Sequence, residues 1–333
     1  GVASYYNGML GYWDEDVKYN IIGRRHGISG LFWMPWDIIK FIVKIIIWQP
    51  DCVLVNPSLM VNALKRDFLF LKVAKCFGCK VVVLIHGFDL KVATVINHEW
   101  VKTYLNKVSL VMTLADSFRK IMKGWGVTTP IELISTKVED RMLDGFDIAS
   151  RDGKIKNILF LSRMEKAKGV YETIDTFALL KTRYSYLTLS MVGSGSELNS
   201  LKNYVNSKKI KDVIFTGALN GKERLKAYRE ADFFFFFSYG EGMPTVVLEA
   251  MAFGLPVMTR YVGGLCDFFE DGKMGRITDS CDPVDFAAMI EPFINDENYT
   301  KEVSLYNHEY ALNHFMASKV GRKIEQLLKQ YTQ

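Results

Sequence analysis

Short runs of β-branched and aromatic residues recur along the chain between stretches of helical periodicity, at 52–55, 81–85, 110–113, 157–161, 187–192, 213–216, 232–238 and 256–259. Most are apolar throughout rather than alternating, so they predict strands covered on both faces, as in parallel sheets wrapped by helices. Phe233 to Phe237 is the extreme case, because five consecutive phenylalanines leave a period-two strand no side for solvent and predict a central strand. The apolar stretch at 31–48 is interrupted by Pro35, Asp37, Lys40 and Lys44, too short and too charged to span a membrane. It reads as an amphipathic or largely buried helix with aromatics at its start, a core helix being favoured over one in contact with a membrane. No repeat with a period of about 20–50 residues is apparent.

Size and composition turn these elements into domains. A chain of 333 residues, 49% hydrophobic and 13% aromatic, can fill two cores and excludes disordered and fibrous classes. Apolar periodicity lapses between Lys137 and Lys156, where acidic and basic residues crowd together with Gly145 and Gly153, as at a linker. The expected division is an N-terminal Rossmann-like domain over 1–145, a second over 146–316, and a C-terminal helix over 317–333 that can return to the first. The 42 basic and 37 acidic residues give +5, too mild for a protein that binds nucleic acid through a basic surface. Residues 1–150 hold 18 basic and 14 acidic groups, hence +4, leaving 24 and 23, hence +1, for the rest. Within the first part Lys65, Arg66, Lys72, Lys75 and Lys80 oppose only Asp67 on a segment that also carries Phe68, Phe70 and Phe77. That segment reads as a solvated helix face or as a contact for an anionic acceptor or bilayer. Five cysteines at irregular spacing argue for a reducing compartment, and Cys76 with Cys79, lacking a second pair, reads as two packed thiols. A cytoplasmic protein is the expectation, with peripheral attachment to the inner face of the plasma membrane as its extension.

Candidate chemistry concentrates in the second half. Glu241-Gly-Met-Pro-Thr-Val-Val-Leu-Glu249 follows the phenylalanine strand, and Pro244 predicts a helix from about Met243 to Phe253 that Gly254 ends. Glu241 then lies in the loop and Glu249 a turn inside the helix, while the amides of Met243, Thr245 and Val246 at the positive end of the dipole suit phosphate. The two carboxylates suit sugar and ribose hydroxyls, which donate hydrogen bonds. Upstream, strand 157–161 ends in Ser162-Arg163-Met164-Glu165-Lys166-Ala167-Lys168-Gly169, putting Arg163 and Lys168 at the carboxyl edge of a parallel sheet, where they can neutralise a diphosphate. Gly193-Ser194-Gly195-Ser196-Glu197 has Leu198 where a dinucleotide fingerprint needs its third glycine, which disfavours an NAD site but allows close approach by a base or ribose. Asp14-Glu15-Asp16 spells D-x-D after a helix rather than at a strand end and reads as an exposed acidic turn. No metal site is assigned.

The order and spacing of Arg163…Lys168-Gly169, Val192 to Glu197, Phe215-Thr216-Gly217, Glu241…Glu249 with its Glu-Ala-Met-Ala, and Gly263-Gly264 before Glu270-Asp271-Gly272 resemble the family-four retaining glycosyltransferases of the GT-B fold. The resemblance is dense over 155–280 and thins in the first half, where His86-Gly87-Phe88-Asp89 looks like the family's histidine loop. Gly1-Val2-Ala3-Ser4-Tyr5 looks like the glycine-rich loop that follows the family's first strand, and no strand precedes it. The resemblance implies two doubly wound parallel-sheet domains facing a cleft, with a nucleoside-diphosphate sugar as donor substrate and no cofactor. It gives Arg163 and Lys168 to the donor diphosphate, Glu249 to the ribose and Glu241 to the transferred sugar. Val192, Gly193, Ser194, Thr216 and Leu219 would line the base, Gly1 and the Gly242–Val246 stretch (Gly242, Met243, Pro244, Thr245, Val246) would complete the donor site, and His86 would face the anomeric centre.

The implied reaction is metal-independent hexosyl transfer to an acceptor hydroxyl, in bacterial surface polysaccharide or glycolipid synthesis. No side chain stands out as a nucleophile, which fits a front-face mechanism. A sugar or lipid-linked acceptor and an anionic membrane surface are the expected partners. Two alternatives stay open, a sugar-nucleotide epimerase on the same fold and a non-catalytic nucleotide-sugar binder; product analysis separates the first, and donor hydrolysis compared with a Glu241→Gln variant separates the second.

Overall fold

The computed structural model describes residues 2–23, 27, 30–88 and 90–332, with only the backbone of Ser4 and Leu31. The chain forms two compact units, Lys137–Met316 and the remainder, in which the segment from Ala317 groups with the residues before Lys137.

In the first unit, strands β1 (Cys52–Val55), β3 (Lys80–Ile85), β5 (Leu110–Thr113) and β6 (Ile131–Leu133) form a parallel sheet in the order β1-β3-β5-β6, and the short β2 (Ser58–Leu59) and β4 (Gly87–Phe88) pair beside it. Val81 to Ile85 are all buried, as an uninterrupted apolar run in a two-sided sheet requires. Helix Val61–Cys76 turns Leu64, Phe68, Phe70 and Leu71 into this core. This corrects the reading of its phenylalanines as an acceptor or membrane face: Phe68 and Phe70 are 1% and 4% exposed, and Arg66 is held by Asp67 at 2.7 Å. Lys65, Lys72 and Lys75 of that helix reach solvent, as do Val61 and Leu69, while Leu64, Phe68 and Leu71 lie on the stripe that faces the core. The C-terminal helix Ala317–Thr332 packs Ala317 with Tyr5 and Met9, and Glu325 accepts the amides of Asp14 and Glu15 at 2.9 Å. The acidic turn is thus tied to this helix.

The second unit begins at Lys137 rather than at 146. Val138 donates its amide to Phe315 at 2.7 Å and bridges Met316, and Met142 enters the core, so the charged stretch read as a linker is already packed. Six parallel strands follow: β7 (Asn157–Leu161), β8 (Thr188–Val192), β9 (Val213–Gly217), β10 (Phe233–Phe236), β11 (Val257–Arg260) and β12 (Gly275–Thr278), in the order β12-β11-β10-β7-β8-β9. Strand β10 is central, with Phe234 in register with Leu159 on one side and Val257 on the other. Its phenylalanines divide by parity, Phe234 and Phe236 entering the core on one face and Phe233, Phe235 and Phe237 the core on the other. That is the physical reason for an unbroken run.

Candidate functional site

The strand order of the second unit fixes where its loops meet. From β7 the chain steps outward through β8 and β9; from β10 it steps the opposite way through β11 and β12. Loops after β7 and β10 therefore leave neighbouring strands in opposite directions at one carboxyl edge, the place where open α/β sheets take ligands. Lys168 comes from the first loop and Glu241 from the second. Their side chains form an ion pair, Nζ to Oε1 at 2.6 Å, and are 12% and 19% exposed. Ser238, at the end of the phenylalanine run, donates to the same Oε1 at 2.8 Å. The two loops are also stitched by the amide of Tyr239, which donates to the Ala167 carbonyl at 2.9 Å.

Close backbone contacts hold the neighbouring loops. Gly193 has φ +144°, and a Cβ there would lie 1.8 Å from the Ser162 carbonyl oxygen; Met164 in turn donates its amide to Ser194 at 2.9 Å. The Arg163 and Gly193–Ser194 loops are thereby one surface. Gly263, at φ +52°, likewise has no room for a Cβ against the Gly242 carbonyl, and Gly264 donates to that oxygen at 2.7 Å. The Glu241 loop is braced from the β11 side.

Arg163 does not join the Lys168–Glu241 pair. It is mostly exposed and pairs with Glu165 of its own loop at 2.8 Å. The helix expected from Met243 starts at Thr245, with Pro244 as its extended N-cap, and ends at Ala252. Val192 is buried while Ser194 and Thr216 are exposed. Leu219, Met243 and Val246 pack as half-buried side chains on one cluster, which brings the β9 loop to the start of the helix. Glu249 is buried within that helix. Tyr228 donates to its Oε2 at 2.7 Å and Arg224 pairs with the same oxygen. Burial pushes the Glu249 carboxyl up, and the charges of Arg224 and Lys137 with the Tyr228 bond act against it. Sequence reasoning missed Arg224, Tyr228 and Ser238. Arg224 and Tyr228 are four apart, so one face of helix Gly221–Glu230 carries both, and that spacing is the one trace of the cluster in the sequence.

In the first unit, His86 follows β3, with rings of Tyr5 and Tyr6 edge-on at 4.6 and 5.7 Å. Its Nε2 is shut from solvent and makes no hydrogen bond among the described residues, and burial lowers its pKa to about 4. Gly1 and Asp89 lie outside the described residues. Among the described residues no three His, Cys, Asp or Glu side chains gather as metal ligands would, and no helix is long and apolar enough to cross a membrane.

Residues 146–309, all within the second unit, match the family described as Glycosyl transferases group 1. The second unit belongs to that family. Among curated relatives, the chain is similar to the capsular polysaccharide biosynthesis glycosyltransferase CapM of Staphylococcus aureus, 24% identical over 224 residues, 66% of this chain and 57% of CapM. It is also similar to the alpha-monoglucosyldiacylglycerol synthase of Streptococcus pneumoniae, 27% identical over 190 residues, 53% of this chain and 43% of the synthase. The chain spans about half the length of these relatives. Among solved structures, Anabaena HepE in complex with UDP and glucose superposes with a TM-score of 0.70 at 16% identity, over 88% of this chain and 81% of HepE. That likeness shows the fold: the group 1 domain and the first unit together are GT-B.

Proposed function

We propose that the chain transfers a hexose from a nucleoside-diphosphate sugar to an acceptor hydroxyl, with retention at the anomeric carbon, in bacterial surface polysaccharide or glycolipid synthesis. The observation that carries this reading is the Lys168–Glu241 pair at the point where the sheet of a group 1 domain reverses direction. An ammonium ready for the diphosphate stands beside a carboxylate ready for sugar hydroxyls, a pairing suited to a ligand that carries both groups. Departure of the diphosphate builds negative charge, which Lys168, Arg163 and the amides at the start of helix Thr245–Ala252 stabilise more in the transition state than in the ground state. Fixed cations in these positions make the reaction metal-independent in this account. Glu249 takes the ribose through Oε1, the oxygen that Arg224 and Tyr228 leave clear. His86, neutral above about pH 4, is assigned to the reacting sugar.

The names of the relatives support the substrate classes: a capsular polysaccharide transferase and a glucosyldiacylglycerol synthase place related chains in surface and lipid glycosylation, and HepE was solved with UDP and glucose. We assign a sugar or lipid-linked acceptor, presented at the cytoplasmic face of an anionic membrane. Thermal stabilisation against UDP, GDP, ADP and their sugars tests the donor class, since a ligand at 100 times its dissociation constant stabilises by about 2.7 kcal/mol. One diphosphate and its sugar should raise the melting temperature; no response to any of them would overturn the assignment.

A further inference from the structure

Helix Gly30–Trp48 has two unlike faces. Phe41 and Ile45 turn into the core of the first unit, and Asp37, 2% exposed, accepts the amide of Gly23. On the other side Phe32, Trp36, Ile39, Val43 and Ile46 follow one another at steps of four, three, four and three, and all five are exposed, Phe32 by 83% and Trp36 by 50%. The steps keep one stripe on the helix surface for about 21 Å, which an ordinary surface helix would cover with polar residues. Lys40 and Lys44 border it, their ammonium groups over the rings of Trp36 at 5.4 Å and Trp48 at 5.2 Å, and Lys18 lies over Trp48 at 5.9 Å. Asp37 is the helix's one acid, and it faces inward.

We propose that this stripe is a membrane-contact surface that lays helix Gly30–Trp48 in the headgroup layer of an anionic bilayer, with Phe32, Trp36 and Ile39 among the acyl chains and Lys40 and Lys44 on the lipid phosphates. Charge decides the occupant. A second copy docked through the same stripe would set lysine rows beside each other, whereas anionic headgroups complement them, and indole rings paired with ammonium groups suit the polar-apolar boundary. The inference deepens the reading of a transferase working beside a membrane and takes its purpose from that reading, but its test needs no donor, so either can fail alone.

Flotation of the full chain with phosphatidylcholine vesicles, with and without phosphatidylglycerol, supplies the test. Binding is expected only with phosphatidylglycerol and should weaken at 1 M salt, where screening shortens to about 3 Å. Lys40→Gln with Lys44→Gln should lose about five-fold for each charge removed. Trp36→Ser with Ile39→Ser should lose at least about ten-fold, with the far-UV circular dichroism of the folded chain kept because both side chains are about half exposed. The triple variant Lys65→Gln, Lys72→Gln, Lys75→Gln, on helix Val61–Cys76, should bind like the parent. The proposal is overturned if the parent ignores anionic vesicles, if the stripe variants bind as it does, or if their only effect is to dissociate a dimer seen by light scattering.

Discussion

Loss of Arg151 should destabilise the second unit strongly. The residue is 8% exposed and forms no ion pair among the described residues, the charge of Asp232 acting on it without direct contact; its guanidinium donates to the carbonyls of Phe253 at 3.0 Å, Tyr228 at 2.9 Å and Ala231. These oxygens close the C-terminal ends of helices Gly221–Glu230 and Thr245–Ala252, the two that carry Arg224, Tyr228 and Glu249. Burial lowers the guanidinium to about 10, so it remains charged at neutral pH. Three hydrogen bonds from a charged donor at about 1.5–3 kcal/mol each, less what entering water restores, give a loss of about 3–5 kcal/mol for Arg151→Ala. Urea unfolding followed by far-UV circular dichroism and by tryptophan fluorescence measures it. All 6 tryptophans precede Lys137, so the part of the dichroism transition with no fluorescence counterpart reports on the second unit. Arg151→Lys should recover only part of the loss. A destabilisation below about 1 kcal/mol for Arg151→Ala would refute the idea that these carbonyls depend on it.

His86 should make the first unit acid-sensitive. An unfolded chain protonates it near 6.5 and the folded one only near 4, so stability present above pH 6.5 is lost as pH falls towards 4, by up to about 3 kcal/mol. Melting temperatures at pH 4.5 and 7 should converge in His86→Phe, and an undiminished gap would acquit this residue. Arg224→Met removes a cation that keeps Glu249 charged, so its pKa should rise further and the acid limb of donor affinity should move to higher pH; an unmoved limb would separate Arg224 from donor binding. Sugar transfer should survive EDTA, and abolition with rescue by Mn²⁺ would return attention to Asp14 and Asp16.

Strand positions were legible where the chain is apolar on both faces, as at Phe233 to Phe237, because no other element buries consecutive large rings so completely. β12 was not, since Gly275-Arg-Ile-Thr278 alternates at a sheet edge, with Arg276 turned out to Asp271 at 2.9 Å. β6 is three residues behind Pro130, too short for periodicity to register. The site was legible as far as it is local: loops after β7, β8 and β10 carry their residues in contiguous motifs whose glycines permit the close contacts seen at Gly193 and Gly263. The brace on Glu249 was not, because Arg224 and Tyr228 reach it only through the crossing from β9 to β10. Phe68 and Phe70 misled for a related reason: basic neighbours suggested an outward face, and only the position of the sheet shows that the rings turn inward.

The donor site stands or falls on calorimetry of nucleoside diphosphate against bare nucleoside, for the parent chain, Lys168→Ala and Arg163→Ala. If these cations serve the diphosphate, each variant should lose on the order of 10²–10³ in turnover and at least about ten-fold in diphosphate affinity while nucleoside affinity barely changes. Equal losses for both ligands, or none for either, would contradict the assignment.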